Sequence, residues 1–213
     1  MKKAILLYRE LRDEREVLAC INLSEMLLIH GEFENAFSYC KRIIDIAGEA
    51  KKSSKEYKDF FYGQGFAHMC DMYIAAGDYE TALQYIRQGY DFYPADSFFQ
   101  AVWASNIGDV YRLMNNYDSA LHYLKPFESM KAMNALTGRI MKGKLRLSNL
   151  YISMNQYDKA LPIIAEMTKK ADEEIKTSNS EIFIGLKGRL SMSAAKAWLG
   201  KKDPQMALKY ATE

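Results

Sequence analysis

The sequence predicts an all-α protein, a right-handed superhelical solenoid of antiparallel helix pairs, and three observations carry that prediction. A ten-residue phrase recurs, as "GEFENAFSYC" from Gly31, "GDYETALQYI" from Gly77, "NNYDSALHYL" from Asn115 and "NQYDKALPII" from Asn155. Residues at fixed offsets around its central alanine fall into matching classes in each copy. The composition, 49% hydrophobic and 26% charged with 4 prolines in 213 residues, suits packed small units rather than a disordered linker.

The elements follow from those offsets. The anchoring alanines are Ala36, Ala82, Ala120 and Ala160, with Ala207 in "DPQMALKY" as a weaker fifth. Twelve before the anchor stand Ser24, Cys70, Gly108 and Ser148, small enough for two helix backbones to approach closely. Nine before stand Leu27, Tyr73, Tyr111 and Tyr151, which fill the space between neighbouring helices. Five before stand Gly31, Gly77, Asn115 and Asn155, the residue types that tolerate the left-handed conformation of a helix C-cap. Three before, Phe33, Tyr79, Tyr117 and Tyr157 open the second helix and pack back, and four after, Cys40, Ile86, Leu124 and Ile164 continue its apolar stripe. Each unit is thus helix, tight turn, helix. One pair alone cannot bury its apolar stripes, and stacked pairs can.

The units fall at about residues 14–53, 56–94, 97–133, 135–176 and 180–213, forming one solenoid, with residues 1–10 reading as the tail of a preceding helix. "SFFQ" from Ser97 reads as a capping box at the start of the third unit. Pro126 lies deep enough in a second helix to bend the chain near Lys125, whereas Pro162 falls about one turn in and costs less. The fifth copy is ambiguous by about two residues, because Gly200 comes too early for the turn position. Both ends read as cut, so the expectation is a segment of a longer protein or a chain that ends by docking on something else.

The pattern resembles the tetratricopeptide repeat, written W-x2-L-G-x2-Y, A-x3-F, P. "IGDVYRLMNNYDSALHYL" carries it best, through Ile107, Gly108, Tyr111, Tyr117, Ala120 and Leu124, and Phe66 and Pro94 supply the aromatic start and proline end of the copy before. Four copies cover roughly residues 14–176. The units exceed the family length, and the extra residues are assigned to longer helices and to loops at Lys51–Lys55, Tyr93–Asp96, Ala132–Thr137 and Lys176–Ser180.

The resemblance implies that the first helix of each pair lines a concave face that binds extended peptides or partner helices. On that face, eleven before the anchor, stand Glu25, Asp71, Asp109 and Asn149. Asn106, Arg112, Lys142 and Arg146 complete the candidate partner-binding set, with Arg189 and Lys196 beyond. Three successive carboxylates followed by cations predict a groove passing from acidic to basic, so that a bound segment lays its basic part on the N-terminal units. Charge along the chain agrees: residues 1–130 hold 14 Lys+Arg against 19 Asp+Glu, and residues 131–213 hold 15 against 8. The carboxylate clamp of some family members needs Lys and Asn where Ile21 and Glu25 stand, which speaks against that specific function.

Other chemistry finds little support. "GRIMKGKL" from Gly138 satisfies G-x4-G-K but offers Leu145 where a phosphate loop needs Ser or Thr, and it lies within a helix. "GQG" at Gly63–Gly65 lacks the third glycine of a dinucleotide fingerprint. Cys20, Cys40 and Cys70 form an odd set without C-x-x-C spacing, the pattern of free buried thiols in a reducing compartment. His30, His68 and His122 fall in three unrelated helical contexts. No cofactor, metal or catalytic set is expected, and the basic half lacks the clustered patch of a nucleic-acid binder. The opening "MKKAILLY" is too short for a secretory core and no stretch is long enough to cross a bilayer. Phe60, Phe61, Phe98 and Phe99, in the added segments, either pack between units or form an exposed patch.

The functional expectation is a non-catalytic scaffold that holds a protein or peptide partner in its groove, in the cytoplasm. The alternative is a sensor segment of a larger bacterial signalling protein, a histidine kinase or transcriptional regulator, exported or periplasmic if it belongs to a membrane sensor. Self-association through exposed solenoid ends is a further possibility.

Overall fold

The computed structural model describes residue 3 and residues 15–49, 55–91, 98–131, 137–178 and 180–212. The expected N-terminal helix tail, the Ser97 capping box and three of the four added loops lie outside the described residues, as do the side chains of Phe60, Phe61, Phe98 and Phe99. The helices run α1 (Arg15–Ile29), α2 (Phe33–Glu49), α3 (Lys55–Ala75), α4 (Tyr79–Asp91), α5 (Phe98–Leu113), α6 (Tyr117–Leu124), α7 (Thr137–Ser153), α8 (Tyr157–Ser178), α9 (Glu181–Gly200) and α10 (Pro204–Ala211). A 3-10 turn, Lys125–Glu128, follows α6. No strand occurs among the described residues. The chain forms two compact units, residues 1–103 and 104–213, with the boundary inside α5.

Five turns of one design join α1 to α2, α3 to α4, α5 to α6, α7 to α8 and α9 to α10. Gly31, Gly77, Asn115 and Asn155 have φ of 75°, 78°, 58° and 58°. At each turn the left-handed residue donates its N–H to the carbonyl three before, and its successor donates to the carbonyl five before, as in Gly31 to Leu28 at 3.1 Å and Glu32 to Leu27 at 2.9 Å. This is the Schellman closure, which satisfies the last carbonyls of the first helix. The fifth turn settles the register left open by the sequence. Lys202, with φ of 62°, takes the left-handed place, and Lys202 and Asp203 bond to Leu199 and Trp198 at 2.9 Å each. The turn therefore stands five before Ala207, as in the other pairs, and Gly200 serves another purpose: its missing Cβ makes room for the Tyr157 ring. Side-chain caps then start the second helices, with Asp78, Asn116 and Asp203 accepting from the N–H three residues on.

Packing within each pair follows the alanines. Ala36, Ala82, Ala120 and Ala160 are fully buried. A Cβ on Gly108 would meet Leu124 at 2.6 Å and the carbonyl oxygen of Ala120 at 3.2 Å, so the small residue twelve before the anchor does set the approach of α5 and α6. Ser24 and Ser148, at the same place in their pairs, donate to the carbonyls of Ile21 and Leu145 at 2.8 Å and so enter the core without a stranded hydroxyl. The aromatic nine before the anchor meets the residue three after it. Tyr73 stacks on Tyr85 with centroids 5.4 Å apart, and Tyr111 stacks on Tyr123 at 5.9 Å.

The two internal prolines act differently. α6 ends at Leu124 and Pro126 sits in the 3-10 turn, the bend expected near Lys125. That turn drives Phe127, which is fully buried, onto α7, where a Cβ on Gly143 would lie 2.1–2.6 Å from its ring. Glu128 meanwhile accepts a hydrogen bond from the buried Tyr151 hydroxyl. Pro162 leaves α8 unbroken over 22 residues; the backbone bond it forfeits is to the carbonyl of Asp158, an exposed residue of the first turn. The segment Lys176–Ser178, assigned to a loop from the sequence, is the last turn of this helix. Hydroxyls of Thr177 and Ser178 bond back to Glu173 and Glu174 carbonyls there.

The three cysteines are buried and none forms a disulfide, as the sequence suggested. In residues 1–103, Glu16 is 3% exposed and is held by Arg42 through a two-pronged contact at 2.9 and 3.2 Å, tying α1 to α2.

Candidate functional site

The first helices carry the candidate residues, and in residues 104–213 they make a connected polar row. Arg146 on α7 donates to the Ser105 hydroxyl of α5 at 3.0 Å and lies 3.9 Å from a carboxylate oxygen of Asp109. Arg112 bonds the other oxygen of Asp109 at 2.7 Å. One turn on along the same face of α7, Asn149 accepts from the Ser193 hydroxyl of α9 at 2.7 Å. Three successive first helices, α5, α7 and α9, are therefore cross-linked through polar side chains. These bonds fix rotamers that would otherwise be free, so the face is ordered before any partner arrives.

The arrangement changes the meaning of one expected rung. Asp109 is no open carboxylate: two guanidinium groups flank it, and its charge is spent inside the protein. Arg112, Asp109 and Arg146 are each half-buried. Asn106 is half-buried on the same helix as Asp109, while Lys142, one turn before Arg146, is exposed. On α9, Arg189 and Lys196 are exposed. This face of the second unit thus shows cations to solvent.

In residues 1–103, Asp71 is exposed on α3. Its charge lies close enough to the buried Cys40 thiol to help raise that group to about 11, behind the larger effect of burial. Glu25 belongs to α1, and its side chain lies outside the described residues. Tyr73 is also held above the usual phenol range, by burial first and by Tyr85 second.

Ser105 and Ser193 were not singled out from the sequence. Ser193 stands fourteen before Ala207, the offset of Asn106 and Arg146, and is visible once Lys202 fixes the fifth register. Among the described residues no group of three or more metal-ligating side chains converges. His30 donates to the Met26 carbonyl at 2.7 Å, His68 is buried and His122 packs edge-on to Tyr123. The G-x4-G-K segment lies inside α7, where Lys144 is buried and bonds Glu166 at 3.1 Å. Among the described residues no helix is long and apolar enough to cross a membrane.

Comparison with known proteins places the fold. Neither a protein-family model nor a curated protein sequence matches the chain. Solved structures do. The crystal structure of BtubC from P. vanneervenii is similar with a TM-score of 0.64 and 16% identity, covering 99% of this chain and 85% of that one. A putative kinesin light chain of Podosopora anserina with nearly identical TPR-like repeats has a TM-score of 0.56 and 11% identity over 92% of each chain. At such identities the likeness speaks to architecture alone. Together with the five equivalent turns and the buried anchor alanines, it gives the chain a tetratricopeptide-repeat-like fold of stacked antiparallel helix pairs.

Proposed function

We propose that this protein is a non-catalytic scaffold whose first-helix face holds an extended segment of a protein partner. The observation that carries the reading is the polar row joining α5, α7 and α9 through Arg146 and Asn149. A row of cross-linked polar groups beside exposed Lys142 presents oriented donors without chemical reactivity. Within residues 104–213 the segment it suits is acidic, because Asp109 is already neutralised by Arg112 and Arg146. Within residues 1–103, exposed Asp71 suits a basic part of a partner.

Fluorescence anisotropy tests this with two fluorescein-labelled peptides of twelve residues, one alternating Ser and Asp, the other Ser and Lys. The Ser-Asp peptide should bind, more weakly as salt rises. Lys142→Glu should reduce that affinity about fivefold, the loss of roughly 1 kcal/mol typical of an exposed pair. Absence of binding by the Ser-Asp peptide, or its indifference to salt or to Lys142→Glu, would exclude the reading.

A further inference from the structure

No described residue covers one apolar face of α9 and α10. Met192, Leu199 and Leu208 are 60%, 61% and 66% exposed. Counted from Ala207, they stand fifteen before, eight before and one after the anchor. At those positions the preceding pair has Leu145, 7% exposed, and Ile152 and Leu161, both half-buried. The first pair has Ile21, Leu28 and Phe37 there, half-buried against a core that includes Met69 and Met72 of α3. In both of those pairs the helix that follows closes the face; Leu145 and Ile152 share a core with Leu186 and Leu190 of α9. The outer face of α9 and α10 therefore has the register and composition of a helix-receiving surface. It also admits a close approach, since no atom lies within 4 Å of where a Cβ would stand at Gly185 or Gly188.

Charge selects the kind of helix. Arg189, Met192, Lys196 and Leu199 follow one another along α9 at spacings of three and four, so cations and apolar groups alternate along a single stripe. Lys202 and Lys209 add exposed cations beyond it, whereas Asp203 is engaged in capping α10 at 3.0 Å from the Met206 N–H. We propose that this face receives an acidic amphipathic helix of a partner polypeptide, its apolar stripe on Met192, Leu199 and Leu208 and its carboxylates at Arg189 and Lys196. A second copy presenting the same face would bring cationic stripes together, which charge repulsion opposes. Arg189 and Lys196 border both this face and the polar row, so the two readings are told apart by Lys142 for the extended probe and by Met192 and Leu199 for the helix, and either can fail alone.

The test uses the 213-residue chain and two fluorescein-labelled helical peptides of eighteen residues with the same Leu/Ala stripe, one flanked by Glu and one by Lys. Anisotropy should give binding of the Glu-flanked peptide and an affinity about tenfold lower or worse for its Lys-flanked counterpart. Met192→Asp combined with Leu199→Asp should weaken the Glu-flanked peptide by about tenfold or more while circular dichroism stays unchanged, both side chains being exposed. Arg189→Glu should weaken it too. Absence of binding, equal binding of the two peptides, or unchanged affinity in the double variant overturns the proposal. So does a dimer of the chain in sedimentation velocity that the double variant abolishes, which would assign the face to a second copy.

Discussion

Replacing Gly143 by alanine should destabilise the protein, although alanine is the better helix former. In the interior of α7 the exchange gains about 1 kcal/mol of propensity. Against this, the new Cβ would stand 2.1–2.6 Å from three atoms of the Phe127 ring, where ordinary contact begins near 3.4 Å. The ring cannot yield easily, being fully buried and fixed by the 3-10 turn that Pro126 starts. Overpacking of a closed core costs about 1–3 kcal/mol, and an overlap with three ring atoms belongs at or above the upper end. The net loss should be about 2 kcal/mol, lowering Tm by about 4–8 °C for a chain of this size. A cycle isolates the cause. Phe127→Ala alone should cost about 3–5 kcal/mol, and in that background Gly143→Ala should reverse sign and stabilise by about 1 kcal/mol. Thermal and urea unfolding of the four proteins measure it. A Gly143→Ala variant that is more stable than the parent, or the same effect in both backgrounds, would refute the packing account.

Three further outcomes follow from the fold. Arg42→Met should destabilise by about 3 kcal/mol in urea unfolding, because it removes the two-pronged cationic contact of the buried Glu16 carboxylate, and adding Glu16→Met should recover most of the loss. Lys202→Gly should stabilise by about 1 kcal/mol by relieving the left-handed lysine at φ 62°, while Asn155→Ala, with φ 58°, should lose a similar amount. Burial lifts the Cys40 thiol from 9.0 to about 11. The folded state thus keeps a proton that the unfolded state releases first. Its contribution is complete below pH 9 and is lost as pH rises towards 11, so Cys40→Ala should flatten the alkaline fall of stability over that range.

What could be read from the sequence is what repeats. Gly31, Gly77, Asn115 and Asn155 announce the turns because few residue types tolerate the backbone there, and the alanines announce close helix approach because larger side chains do not fit. Lys202 escaped this logic: lysine carries no signal for a left-handed turn, and only the hydrogen bonds to Leu199 and Trp198 reveal its role. The polar row was legible in Asp109, Arg112, Arg146 and Asn149, and neither in Ser105 and Ser193 nor in its meaning. Asp109 reads as a rung of negative charge, yet its partner Arg146 comes from the next helix pair, and such pairing depends on side-chain reach across a stacking geometry that residue spacing leaves undefined. The contact of Phe127 with Gly143 escaped for the same reason, since it occurs at one place and has no counterpart to recur.

The five hydrogen-bonded turns have a consequence for how the chain comes to be folded. Each hairpin closes through partners a few residues apart, with little loop entropy to overcome. Such closures are quick compared with the pace of synthesis on the ribosome. A hairpin can thus be in place before the next has been translated, and successive hairpins can then zip onto their neighbours from the N-terminus onward. A defect in one turn would stall that progression locally and leave earlier hairpins intact.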